Sequence, residues 1–421
     1  MAMTGYWQQT IAPDDRPALS GDLEVDVAVV GGGFIGLSTA HALRQVEPST
    51  RVIVLEGGRV GDAGSEHDVG FAMTSFGIGM ESATARFGKT NARRAHLFME
   101  RAVDNVGTLV REHQIECDYE RTGLLTVACT PTKLSRLRHE VRLAEQLGLE
   151  GITWIDGPTL RELVNSPRCL GARYDARSAL LHPAKLLRGL RARAEAAGAV
   201  VYEQSPLRVF TAGTTGKRHR LLTPSGVVKA ERVVFATNAY HVQLPALSGK
   251  VLPVHSSTLL TEPLSDAQLA TVGWRGRQAI EDGCNVRYRL TADNRLLIGG
   301  GIPGVDEQLY PSICALFPGL GGLRIAARWS GAMLTPQVMA YSVGFLDSER
   351  RVVYSLGATG HDVAFPIHIG QLLAALAFDR PHPDGDLVFV NRRILPLPPD
   401  PIRFALQSTS PSYGSRPTAW R

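Results

Sequence analysis

Hydrophobic positions change period several times along the chain, and each change marks a predicted element. Residues Asp26–Val30 form a short β-branched apolar run, residues 31–36 a glycine turn, and Leu37, Ala40 and Leu43 recur at helical spacing through Val46. Arg51–Leu55 is a second apolar strand ending at Glu56, so residues 26–56 predict a right-handed βαβ unit and the start of a parallel sheet. Between about 91 and 148 the period is helical, with Leu97, Ala102, Val106 and Leu109, then Leu134, Leu137, Val141 and Ala144, around a strand-like Gly123–Ala128. This stretch reads as an insertion into the sheet domain. Pro183 opens a further helix, Gly198 closes it, and Ala199–Glu203 follows as a strand. Glu231–Ala236 reads as another buried parallel strand. Val286–Leu290 and Arg295–Gly299, joined by residues 291–294, predict an antiparallel hairpin of a second domain. Val352–Leu356 and a helix over about 367–378 return to the first architecture, and a proline-rich tail from Leu395 reads as an irregular extension.

Composition narrows the picture. With 421 residues, 44% of them apolar and 20% charged, the chain is globular and long enough for more than one domain. Lys+Arg 45 against Asp+Glu 40 leaves +5, with no concentrated basic run, which argues against nucleic acid. The five cysteines, Cys117, Cys129, Cys169, Cys284 and Cys314, are odd in number, far apart and free of any CxxC. That supports neither a disulfide framework nor a metal site, and fits a reducing cytoplasm. The first twenty residues carry Asp14, Asp15 and Arg16 with two prolines, and no run of about 18 apolar residues occurs. Neither secretion nor a membrane span is expected.

Gly31, Gly33 and Gly36 follow a strand, open a helix and precede Glu56 by 56 − 36 = 20 positions. That context is the dinucleotide fingerprint of a Rossmann-like domain. Gly31 permits the tight turn, Gly33 lets backbone approach a pyrophosphate, Gly36 allows close helix packing, and Glu56 accepts ribose hydroxyl protons. NAD and FAD both use this fingerprint, so it leaves the cofactor open.

Further motifs follow in a fixed order: Gly61–Gly70, Tyr174–Lys185 with Leu-His-Pro inside it, Ala236–Tyr240, Thr261–Leu264, Tyr288–Gly299, Trp329-Ser-Gly331 and Gly360–Val363. In these, from about residue 24 to about 380, the chain resembles the FAD-dependent D-amino-acid, glycine and sarcosine oxidase family. The nearest pattern is that of gamma-glutamylputrescine oxidoreductases. The resemblance implies an α/β fold with a Rossmann-like FAD-binding domain, discontinuous over 1–90, 151–250 and 330–390. It also implies a substrate domain on an antiparallel sheet over 91–150 and 251–329, with 391–421 as extension. It puts the FAD pyrophosphate on Gly31, Gly33, Phe34, Ile35 and Gly36, and the ribose on Glu56. The isoalloxazine falls near Ser65, His67 and Gly70 and near Gly360, His361, Asp362 and Val363. Further cofactor contacts carry over to Gly57, Arg59, Leu207, Thr237, Trp329 and Gly331. The glycine-rich turn over 357–363 would present backbone N–H groups to the flavin edge where negative charge develops.

The chain departs from the family pattern in three places. Residues 65–70 read Ser-Glu-His-Asp-Val-Gly where relatives read Ser-Gly-Arg-Asn-Gly-Gly. His67 falls near a histidine that some family dehydrogenases bond covalently to flavin, so a covalent link and a polar contact both stay open. Gln337 replaces an aspartate, Ala340 a proline, and Asp362 a glycine, while no cysteine stands near Trp329 for the family's cysteine linkage.

On the substrate side the candidates are Tyr288 and Arg289 of the family hairpin, with His67 and His361 beside the flavin. Tyr288 and Arg289 alternate across a strand, so one of them points away from the pocket; Arg287 and Arg289 share a face that reads equally well as solvated. Met73, Phe76 and Met80 line the cavity or belong to the core. The expected reaction is oxidation of a primary or secondary amine or amino acid to an imine, with hydride to flavin and electrons to O2 or another acceptor. A flavin monooxygenase or specialised-metabolite oxidase, and a binding protein with structural flavin, are the competing readings.

Overall fold

The computed structural model describes residues 6–62, 68–238, 250–282, 286–300, 306–336, 341–357 and 363–392, with backbone alone at 251–255, 306–308 and 332–336. Leu23–Val30 is the central strand of a first sheet, in parallel register with Val52–Leu55 on one side and Gly226–Phe235 on the other. Val27, Ala28 and Val29 are buried on both faces, which is why this strand reads as a continuous apolar run. Val200–Tyr202 and Val352–Leu356 extend the sheet in parallel, and Ser342–Phe345 closes one edge antiparallel.

Several helices cover one face of this sheet, and two of them meet over its centre. Phe34–Val46 follows the glycine turn, and Ala364–Ala377 packs against it so closely that a Cβ on Gly370 would lie 2.7 Å from the Ser38 backbone. The last helix is buried nearly all round, as its apolar sequence requires. Among the described residues no helix is long and apolar enough to cross a membrane.

The second sheet runs Ile325–Pro336, Val251–Pro263, Arg295–Gly300, Val286–Leu290, Ala279–Glu281, Leu124–Ala128, Gly171–Asp175, Ile152–Asp156. One face carries Tyr288, Ile298 and Leu296 against the helix Asp306–Leu316 and Phe317. The other face meets the first domain through Leu124, Leu260, Ala279, Leu297 and Trp329, packed on Val69, Phe71 and Trp7.

The sheets divide the chain differently from the expected boundaries. Strands Ile152–Asp156 and Gly171–Asp175, expected with the cofactor domain, pair in the second sheet. The helical span Met80–Glu112, much of it expected with the substrate domain, buries Ala95, Phe98, Met99, Ala102 and Val106 in the first core. An amphipathic stripe shows that a helix has a buried face, and leaves open which sheet receives it. The same pairing brings Cys129 and Cys169, 40 residues apart, to 3.9 Å between sulfurs as free thiols.

Candidate functional site

The first half of the site stands at the carboxyl end of Leu23–Val30. Gly31 has φ +106°, and a Cβ there would lie 2.8 Å from the Ala236 carbonyl oxygen, so only glycine passes between the two strand ends. A Cβ on Gly36 would run into the Gly31 carbonyl oxygen, which seats the helix directly on the turn. Gly33 caps that helix and, lacking a side chain, supplies no cap hydrogen bond of its own. A helix start of this kind suits an anionic group. Glu56 is 8% exposed; Oε2 accepts from the Gly32 N–H at 2.7 Å and Oε1 from the Gly58 N–H at 2.9 Å. Burial nevertheless holds its carboxyl above the usual range. The turn, the helix start and the carboxylate fit a dinucleotide, with space kept open by glycine.

Other expected contacts fall around this cradle. Gly57 lies beside Pro206, and Thr237 follows Ala236 at the neighbouring strand end. Leu207 is buried with Val30 and Leu55 on the sheet's far face. The Arg59 guanidinium turns to Asp15 at 3.0 Å, out at the surface.

The second half joins the two sheets at residues 68–71. Arg289, on the second sheet, donates from Nη1 to the carbonyls of Val69 at 3.1 Å, Gly70 at 3.0 Å and Leu181 at 2.7 Å. The Trp7 indole donates to the Asp68 carbonyl at 3.0 Å, and the Gly70 N–H to the Asp68 carboxylate at 2.7 Å. From the start of the last helix, the Val363 N–H donates to the Phe71 carbonyl at 2.9 Å. The segment is thus held from the second sheet, the amino-terminal helix and the last helix. Phe71–Ala72 also pairs with Ala179–Leu180.

Arg289 is 2% exposed and Arg287 7%, so the solvated arginine face is overturned: both side chains are buried, and Arg289 reaches into the first domain. Desolvation brings the Arg289 guanidinium down to about 10. Tyr288 takes the opposite face, edge-on to Phe317 at 6.3 Å, its hydroxyl donating to Asp282 at 3.0 Å. Burial pushes that phenol up, and it does not reach residues 68–71. Phe76 packs against Tyr341 and Phe389, and Met80 against the cluster of Val141 and Leu147, so both are core rather than cavity wall. Met73 lies with Val69 and Trp329 at the domain interface.

Trp329 stacks on Tyr6 at 6.3 Å with its indole N–H buried and unpartnered; Gly331 pairs with Ser256 on the adjacent strand. Ser65, His67, Gln337, Ala340, Gly360, His361, Asp362 and Cys284 lie outside the described residues. Trp7 enters the site without a sequence signal of its own, whereas Asp68 and Gly299 fall inside the Gly61–Gly70 and Tyr288–Gly299 motifs. Arg287 shares the parity of Arg289, and that was its one legible clue.

The profile of the DAO family, described as FAD dependent oxidoreductase, matches residues 26–376. Gamma-glutamylputrescine oxidoreductase of Escherichia coli (strain K12) is 32% identical over 378 residues, covering 87% of this chain and 86% of that protein. Glycine oxidase of Bacillus licheniformis is 22% identical, covering 85% and 94%. Among solved structures, glycine oxidase from Geobacillus kaustophilus superposes with a TM-score of 0.76 at 20% identity, covering 88% of this chain and 99% of that one. A glycine turn with a buried acceptor at its side, two sheets joined at residues 68–71, and a match over most of the length together place the chain in the DAO family of FAD-dependent oxidoreductases.

Proposed function

We propose that the protein oxidises the C–N bond of a primary or secondary amine or amino acid to an imine. Bound FAD would supply the hydride acceptor for the carbon bearing the nitrogen, with O2 or another acceptor as the electron sink. The observation that carries this reading is the convergence of Arg289, Val363 and Trp7 on residues 68–71, between a dinucleotide cradle and a second sheet. The two relatives named above act, by their names, on an amine and an amino acid.

In this reading Gly31, Gly33 and Gly36, with the N–H groups of Phe34 and Ile35, hold the pyrophosphate, and Glu56 accepts from the ribose hydroxyls. Val69–Phe71 and Val363 would hold the isoalloxazine. Arg289 fixes that segment and places a buried positive charge beside it, which favours negative charge developing there. Tyr288 supports the sheet from behind and holds no substrate. The substrate amine must be neutral to give up hydride, and apolar Val69, Phe71 and Met73 exclude water from the imine until release. The described cysteines are free thiols, which supports a cytoplasmic setting.

The test is an anaerobic titration of the flavoprotein with a panel of amines, following flavin absorbance. Bleaching by an amine alone supports the reading; a flavin reduced only by NAD(P)H would replace it with a monooxygenase.

A further inference from the structure

Cys129 and Cys169 take no part in the site described so far. Cys129 is the single residue between the end of Leu124–Ala128 and Thr130, whose hydroxyl caps the helix Pro131–Gln146 by accepting from the Lys133 N–H. Cys169 ends the turn that leads into Gly171–Asp175, its N–H donating to the Ser166 carbonyl at 3.2 Å. The pairing of Ala128 with Gly171, and the Leu170 N–H donated to the Ala128 carbonyl at 2.8 Å, bring the two segments side by side. The turn is anchored on its far side as well: the Ser166 hydroxyl donates to the Leu316 carbonyl at 2.5 Å, and the Asn165 N–H to the Val272 carbonyl at 2.8 Å. Hydrogen bonds thus fix the backbone on both sides of the pair.

The sulfurs stand 3.9 Å apart, and the Cys169 thiol also donates to the Ser166 hydroxyl at 3.3 Å. A disulfide needs about 2 Å, so closure asks each sulfur to move by about 1 Å, which rotation about χ1 covers without displacing either strand. Cys169 is buried, whereas Cys129 is half-buried and gives a small reagent access to the pair. Both pack with Tyr288, Trp274 and Phe317, on the face of the second sheet turned away from residues 68–71. Disulfides of reducing compartments, where they occur, are mostly transient and redox-sensing.

We propose that Cys129 and Cys169 form a redox modification site, at which hydrogen peroxide converts the two thiols into a disulfide that fastens the outer strands of the second sheet. One thiol attacks the peroxide O–O bond and becomes a sulfenic acid as water leaves; the second thiol displaces the hydroxyl from that sulfur as water, and the S–S bond forms. Both sulfurs are oxidised, both thiol protons leave in water, and the peroxide is reduced to two molecules of water. Peroxide is also what O2 yields when it takes two electrons from a reduced flavin, so the oxidant has a source at the protein itself. The closed loop carries the helices Pro131–Gln146 and Gly157–Leu163 and the edge strand Ile152–Asp156. The inference does not depend on the amine-oxidation reading.

The experiment treats the reduced, FAD-loaded protein with hydrogen peroxide, alkylates the remaining thiols in denaturant and maps the unreduced peptides by mass spectrometry. The peptides holding Cys129 and Cys169 should appear joined, lighter than their sum by two hydrogens, and dithiothreitol should separate them. Constraining a loop between residues 40 apart should raise Tm by about 4 °C. Cys129→Ser and Cys169→Ser should each lose the link and the rise, while Cys314→Ser keeps both. Cys129→Ala, at the half-buried position, serves where Cys169→Ser does not fold. Three results would each overturn the proposal: Cys129 and Cys169 both alkylated after peroxide, a link that joins either of them to a different cysteine or to a second chain, or a Tm left unchanged by the link.

Discussion

The Cβ that Gly70 lacks would stand 2.5 Å from Nη1 of Arg289. The guanidinium reaches the backbone of residues 69–70 only because that position has no side chain, and Gly70 at φ +76° needs glycine on conformational grounds as well. One contact thereby ties the hairpin of the second sheet to the loop of the first domain.

Gly70→Ala should therefore cost stability on the order of 3 kcal/mol, from αL strain and from displaced donors of a buried charge. Thermal denaturation and FAD content should fall together. An unchanged Tm would mean that the loop yields without disturbing Arg289.

Gly36→Ala tests the cradle. Its Cβ would meet a backbone carbonyl, which cannot swing aside. FAD affinity should fall by about tenfold or more. Gly321→Ala, where nothing lies within 4 Å, is the control and should leave FAD binding unchanged.

Glu56→Gln should weaken FAD by roughly 1.5–3 kcal/mol for a lost charge-assisted hydrogen bond. Burial raises the Glu56 carboxyl, so its protonated form is favoured in the fold relative to the unfolded chain. Its contribution to apo-protein stability thus rises as pH falls through the raised value, while FAD affinity declines over the same interval. Both effects should vanish in Glu56→Gln, as read by the difference in Tm and in FAD titrations between variant and wild type.

His182 caps the helix Pro183–Ala196: Nδ1 accepts from the Lys185 N–H at 3.2 Å, and Nε2 shares a hydrogen bond with Thr10 at 2.8 Å. Burial first, then Lys185, brings it down to about 4. The neutral ring's contribution is present above its ordinary value of 6.5 and is lost as pH falls from there toward 4. Each pH unit across that window costs about 1.4 kcal/mol. His182→Asn, which keeps a capping acceptor, should flatten the decline of Tm between these values; an identical slope would assign it to other groups, such as half-buried His368.

Sequence alone determined the elements whose residues interact locally. The glycine turn with Glu56, the alternating hairpin Val286–Leu290 and Arg295–Gly300, and the apolar last helix are all set by backbone sterics and hydrophobic period. Even the shared face of Arg287 and Arg289 followed from strand alternation. Tertiary structure decided what that face looks upon. Solvated arginines and buried ones have the same period, and only the packing of Gly299 on Val69 and of Gly70 on Arg289 buries this pair. The placement of Ile152–Asp156 in the second sheet, and the arrival of Trp7 at Asp68 from 61 residues away, also depend on contacts distant in sequence. Local period fixes which side of an element is apolar; the partner for that side is chosen by the fold as a whole, through burial that no single segment can achieve alone.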